Sequence, residues 1–173
     1  MTAGPLNEAD VCTQLITPAI QAAGWDLTTQ VRREVTLSNG RIIVRGKLVT
    51  RGKARRADYV LYYKPNIPLA VIEAKDAAHS VGDGMQQGME YADTLGVPFV
   101  FSSNGEGFQF RDGTGSSAAV ETTILLADLP GPDALWAKYR AWKGLDSAQE
   151  GVVLQDYHDD ASGKEPRYYQ TVA

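Results

Sequence analysis

The sequence predicts an α/β fold, a mixed β-sheet flanked by helices, and three observations predict it. Segments with a helical period alternate with short runs rich in β-branched and aromatic residues. The most apolar of those runs, Leu69-Ala70-Val71-Ile72, suits a central strand. The chain has 173 residues, 43% hydrophobic and 22% charged, which is enough for one globular domain with a continuous core.

The elements follow in order. Residues 7–23 read as a helix, because Val11, Leu15, Pro18, Ala19 and Ala22 roughly keep a 3.6-residue period between an Asn7 cap and a Gly24 stop. Pro18 inside that run predicts a kink or a late start. Residues 29–37 read as a strand, and Ser38-Asn39-Gly40 as a hairpin turn with 41–49 as the return strand. Residues 57–63 and 68–74 read as two more strands around a Lys64-Pro65-Asn66 turn. Residues 80–95 suit a helix, with Ser80 and Asp83 placed as a capping box and Gly96 as its stop. Residues 98–102 and 107–111 read as strands separated by the Asn104-Gly105 turn. Residues 113–119 read as a loop and 133–142 as a last helix. From 146 onward the chain is polar and acidic, so the domain is expected to span 1–145 and a linker 146–173.

Composition excludes several classes. The single cysteine, Cys12, allows no internal disulfide and fits a reducing, cytoplasmic setting. His79 and His158, the only histidines, offer no Cys/His zinc site. No signal peptide and no apolar run near membrane-spanning length is present, so no membrane partner is expected. There is no Gly-x-Ser-x-Gly elbow. Residues 40–47 approach a phosphate loop but carry one residue too many, and Leu48 stands where Ser or Thr is needed. The formal net charge of −4 argues against a nucleic-acid partner, but seven of the 17 basic residues fall within 41–56, a run without acids. Local charge sets the field that a phosphate backbone meets.

The residues that carry chemistry are Glu73-Ala74-Lys75 and Asp58, fifteen positions earlier at the head of the neighbouring strand. A chain of this composition holds about one acid-x-Lys triplet by chance, so spacing alone decides nothing. Placement decides more. Alternation along a strand projects Glu73 and Lys75 to one side, beside Asp58. Two adjacent carboxylates repel unless a hard divalent cation such as Mg²⁺ lies between them. Such a site hydrolyses phosphodiesters, with the lysine holding a water or a phosphate oxygen. The ordinary structural alternative is a salt bridge of Lys75 with one of the acids. On the following helix Asp83, Gln87 and Tyr91 recur every four residues, and Gln87 and Tyr91 are expected to face out beside the carboxylates. Val81, Met85, Met89 and Ala92 mark the opposite face. Gly82, Gly84 and Gly88 weaken that helix but let a backbone or ligand approach closely. Arg55 and Arg56 would meet phosphates near the scissile bond. His79 is read as a polar loop residue without a partner, and Trp25, Trp136 and Trp142 as packing residues.

Taken together, Arg56-Ala57-Asp58-Tyr59-Val60-Leu61 and Ala70-Val71-Ile72-Glu73-Ala74-Lys75 resemble the PD-(D/E)xK nuclease superfamily. Gln87-Gly88-Met89-Glu90-Tyr91 resembles the Q-x-x-x-Y motif of the restriction (R) subunit of type I restriction–modification enzymes. The resemblance implies a restriction-endonuclease-like fold, with Asp58, Glu73 and the Ala74 carbonyl on Mg²⁺ (Mn²⁺ as an alternative) and Lys75 acting on the water. It implies double-stranded DNA at Gln87 and Tyr91, and makes Glu8 on the first helix a candidate accessory acid. Pro166-Arg167-Tyr168-Tyr169-Gln170 resembles the Q motif that opens a helicase-like motor, in which Tyr168 and Gln170 would face ATP in the full-length protein. The implied partners are that motor and the modification (M) and specificity (S) subunits, and the implied task is ATP-dependent cutting of unmodified foreign DNA. A non-catalytic docking module and a repair or recombination nuclease of the same superfamily remain as alternatives.

Overall fold

Asn7 starts the first helix by accepting the Asp10 N–H at 2.9 Å. The computed structural model describes residues 4–37, 43–45, 48–50 and 55–155, without side chains for 43–45 and 48–50. Helix α1 (Glu8–Val11) runs through a π-helical turn, Cys12–Ile16, into α2 (Thr17–Ala22). That turn is how the chain accommodates Pro18. In a regular helix the proline ring would press on the Gln14 carbonyl. Here the backbone widens so that the Thr17 N–H reaches the Cys12 carbonyl, five residues back. Tyr59 secures the turn: its hydroxyl donates to the Cys12 carbonyl at 3.0 Å and accepts from Thr17 Oγ1 at 2.9 Å.

The strands are β1 (Val31–Leu37), β2 (Ile43–Arg45), β3 (Leu48–Thr50), β4 (Arg55–Lys64), β5 (Ile67–Ala74), β6 (Phe99–Ser103), β7 (Phe108–Asp112) and β8 (Glu121–Ile124). Six of them form one mixed sheet in the order β1-β4-β5-β6-β7-β8. Only β5 and β6 run parallel within it, joined by the crossover helix α3 (Met85–Leu95). The expected hairpin between 29–37 and 41–49 does not form. β1 pairs with β4 instead, and β2 pairs with β3 as a separate ribbon. The long, apolar β4 offers β1 a ladder from Val31–Leu61 to Leu37–Arg55, which a three-residue strand cannot match. The Ser38-Asn39-Gly40 turn lies outside the described residues.

Helices cover both faces of the sheet. On one face α1, α2 and α4 (Pro132–Lys143) pack around Ile16, Ile20, Tyr59, Ile72, Phe101 and Leu135. On the other, α3 lays Met85, Tyr91 and Ala92 over Val60, Val71 and Val100. Alternation along β5 therefore sends Ile72 to the first layer and Val71 to the second. Trp25 and Trp136 are buried as expected, their indole N–H groups donating to the Pro130 carbonyl and to Glu150 Oε1. Trp142 is not a core residue, being 40% exposed.

The C-terminal part adds one element that the sequence reading left open and corrects one expectation. Residues 121–124 add an edge strand, β8, paired with β7. Residues 147–153 are not a linker but helix α5 (Ser147–Val153), begun by a capping box between Asp146 and Gln149 and tied to α4 through Glu150. Tyr168 and Gln170, with the rest of the Q-motif stretch, lie outside the described residues. Among the described residues no helix is long and apolar enough to cross a membrane.

Candidate active site

The central position of β5 brings its C-terminal end, Glu73-Ala74, beside Asp58 on β4. The Asp58 N–H donates to Glu73 Oε1 at 3.4 Å, and the Ala74 N–H donates to Asp58 Oδ2 at 2.8 Å. Lys75 has already left the strand, and its N–H donates to the Ser103 carbonyl at 2.8 Å. Its ammonium donates to Gln87 Oε1 at 3.3 Å, and Gln87 Nε2 donates to the Tyr91 hydroxyl at 2.9 Å. The fold thus assembles Asp58, Glu73, Lys75, Gln87 and Tyr91 from two strands and one helix. The simple alternative, in which Lys75 forms a salt bridge with Asp58 or Glu73, is not what the chain does: its partner is an amide.

Burial makes the pair of acids unusual. Glu73 is 1% exposed, and among the described residues no cationic side chain forms a salt bridge with it. Loss of solvent, and then the neighbouring Asp58 charge, push its carboxyl up to about 8. Asp58 is also raised, chiefly by burial, against the pull of the Ala74 N–H and of Lys75. In the metal-free protein burial therefore favours a proton held within this pair of acids. A hard divalent cation could replace that proton and neutralise both acids, so the donor set fits one. Among the described residues no three His, Cys, Asp or Glu side chains converge on one point, so such a cation would find two carboxylates, a main-chain carbonyl and water.

Helix α3 explains how so large an acid can be buried. A Cβ at Gly84 would stand 2.8 Å from Ser102 Oγ and 3.0 Å from the Glu73 Cβ. One at Gly88 would stand 2.6 Å from Val100 Cγ1 and 3.4 Å from the Glu73 Cγ. The two glycines, one turn apart, let α3 lie directly on Glu73, and the Gly84 N–H caps Ser102 Oγ at 2.9 Å. The close approach expected of these glycines is thus to β5 itself at Gly84 and Gly88, while a Cβ at Gly82 would meet nothing nearer than Gln109 Cγ at 4.0 Å. Ser102 was not singled out by the sequence. Its role depends on the register of β5 with β6, which sets Glu73 against Ser102.

Other positions differ from expectation. Tyr91 does not face outward: it is 4% exposed, and the neighbouring apolar residues of α3 hold its ring in the core. An open groove beside it is lined by Arg55, Asp83, Gln86, Gln87 and Glu90. Arg55 is paired with Glu90, and Arg56 with Glu34 at 3.4 Å, all four side chains being well exposed. Ser80 and Asp83 do exchange hydrogen bonds, but in a turn that precedes α3, whose cap is Gly84. His79 has a partner, Asp76 Oδ1 at 2.8 Å. Glu8 is exposed in the first turn of α1, and among the described residues no hydrogen bond joins it to Asp58 or Glu73. Residues 41–42, 46–47 and 51–54 of the basic run 41–56 lie outside the described residues.

The family of type I restriction enzyme R protein N termini matches residues 43–117 of this chain. The Type I restriction enzyme EcoAI endonuclease subunit of Escherichia coli is 56% identical over 169 residues, covering 97% of this chain and 21% of the relative. A solved fragment described as an HsdR subunit of a type I restriction enzyme from Vibrio vulnificus YJ016 superposes with a TM-score of 0.78 at 34% identity. That match covers 98% of this chain and 31% of the other, so this chain spans less than a third of either relative.

Proposed function

The chain belongs to the family of type I restriction enzyme R protein N termini, and from that premise we propose that it is the divalent-cation-dependent endonuclease domain of such a protein, acting on double-stranded DNA. One observation carries the reading: Asp58 and a fully buried Glu73 face each other at the end of the central strand, with Lys75 held beside them by Gln87. The family premise favours this over a repair or recombination nuclease.

The roles follow from chemistry. Asp58, Glu73 and the Ala74 carbonyl hold Mg²⁺ or Mn²⁺, which supplies Lewis-acid polarisation of the phosphate and a more acidic water. Lys75 places its ammonium where a phosphate oxygen or the attacking water is met, and Gln87 fixes its direction. Tyr91 acts from the core by fixing the Gln87 amide. Arg55 and Arg56, at the start of β4, hold the DNA backbone. The cut is made in the full-length protein, with its ATP-driven motor and the modification and specificity subunits as partners.

Calorimetric titration of Mn²⁺ into this chain and into Asp58→Ala/Glu73→Ala tests the metal site. Binding by the first and not the second supports it. Equal heats in both would overturn it and favour a docking module without catalysis. Cleavage of double-stranded DNA by the full-length protein, lost in Glu73→Ala, tests the activity itself.

A further inference from the structure

One residue beside the site is in an unusual conformation. Glu34, in the middle of β1, has a φ of 52°, the only positive φ of a non-glycine residue among the described residues. Glutamate has no special tolerance for this left-handed region, and such strain tends to gather at functional sites. Glu34 lies opposite Asp58. The β1–β4 ladder pairs Arg33 with Tyr59 and Val35 with Ala57, and skips the pair between them.

The skipped pair matters because of where Asp58 points. The Tyr62 N–H donates across to the Gln30 carbonyl at 2.8 Å, so every second residue of β4 directs its N–H toward β1. By that alternation, Tyr62, Val60 and Asp58 all belong to the set that bonds β1. A regular strand at Glu34 would therefore take the Asp58 N–H into the ladder. Instead that N–H goes to Glu73 Oε1. The Glu34 carboxylate does not replace the lost pairing: it is exposed and reaches Arg56 at 3.4 Å.

We propose that Glu34 is a positioning residue for the metal-binding pair, its left-handed backbone releasing the Asp58 N–H from the sheet so that it can orient the Glu73 carboxylate. This rests on the metal-site reading above only for its consequence, not for its geometry. The action belongs to the main chain. Residues that adopt the left-handed region readily should therefore preserve it, and a β-branched residue, which resists that region, should abolish it.

The test uses Glu34→Gly, Glu34→Asn and Glu34→Val in this chain. Each is measured by Mn²⁺ calorimetry and by the amide resonance of Asp58 in the metal-free protein, with and without Glu73→Gln. Glycine and asparagine should bind Mn²⁺ within about threefold of the parent, and valine at least tenfold more weakly with an undiminished melting temperature. The Asp58 resonance should respond to Glu73→Gln in the parent, glycine and asparagine proteins and be insensitive to it in the valine protein. A valine protein whose Asp58 resonance still responds would overturn the proposal. So would glycine and asparagine proteins that fail as valine does, since the carboxylate and not the backbone would then matter. If no form bound Mn²⁺, the metal-site reading would fall, and the resonance pattern would still decide the role of Glu34.

Discussion

At the scale of single residues, the most consequential group is Glu73. Its carboxyl is raised to about 8 in the metal-free fold and returns to its ordinary range, near 4.5, when the chain unfolds. Between those values the folded protein binds more protons than the unfolded one, so stability falls as pH rises through that window. In chelator, the melting temperature of the parent should decline from pH 5 to pH 8.5. Glu73→Gln, which cannot ionise, should flatten that decline and melt higher at pH 8.5, by about 5 °C or more. A parallel decline in the mutant would show that the buried acid is not its source. Lys75 makes a contrasting case. Its ammonium touches an amide rather than the acids, so Lys75→Met should leave Mn²⁺ affinity within a few-fold. It should nonetheless lower DNA cleavage by the full-length protein by about 10²-fold or more. A matching loss of metal affinity would move Lys75 from the chemistry to the upkeep of the carboxylate pair.

At the scale of elements, α3 is the part whose placement the site depends on, and Gly88 is the contact to challenge. Alanine would gain helix propensity, worth about 1 kcal/mol. Its Cβ would also meet Val100 Cγ1 at 2.6 Å, and overpacking of this kind costs about 1–3 kcal/mol. Gly88→Ala should therefore lower the melting temperature by a few degrees and weaken Mn²⁺ binding together, because the helix can move only by lifting off Glu73. A stabilised variant with normal binding would show that α3 has room to spare. The same element shows what the sequence could and could not reveal. Asp58 and Glu73 were legible because an apolar run ends in charge, and strand alternation needs no distant information, whereas Lys75 lies past the end of β5 and is held there by Gln87. The pairing of β1 with β4 was not, since the local turn at 38–40 pointed to a nearer partner and only the competition among strands decides between them. Tyr91 shares a helix face with Gln87, yet a large ring on the edge of that face turns into the core while the shorter amide stays at the groove. The acidic composition after 146 concealed α5, whose start is written in just two residues, Asp146 and Gln149.

At the scale of the whole molecule, the proposed DNA partner has to be reconciled with a net charge of −4. Charge is segregated: seven basic residues lie within 41–56, while nine acids and four basic residues occupy 121–165. Of the basic run, Arg55 and Arg56 stand at the start of β4, three and two residues ahead of Asp58. Their partners Glu90 and Glu34 are exposed, and exposed pairs contribute only about 0–1 kcal/mol, so phosphate can displace them at little cost. Each phosphate contact releases condensed counterions, and the logarithm of affinity falls with the logarithm of salt by about 0.9 per contact. Arg55→Ala/Arg56→Ala should therefore make that slope shallower by about 2, alike on any duplex, when anisotropy of a short labelled DNA is followed across a KCl series. Glu90→Gln should act oppositely at low salt, tightening binding a few-fold by freeing Arg55 of its competitor. Two arginines that can be removed without changing the slope would place the DNA away from β4, and with it away from Asp58, since the strand that carries the basic pair also carries the acid.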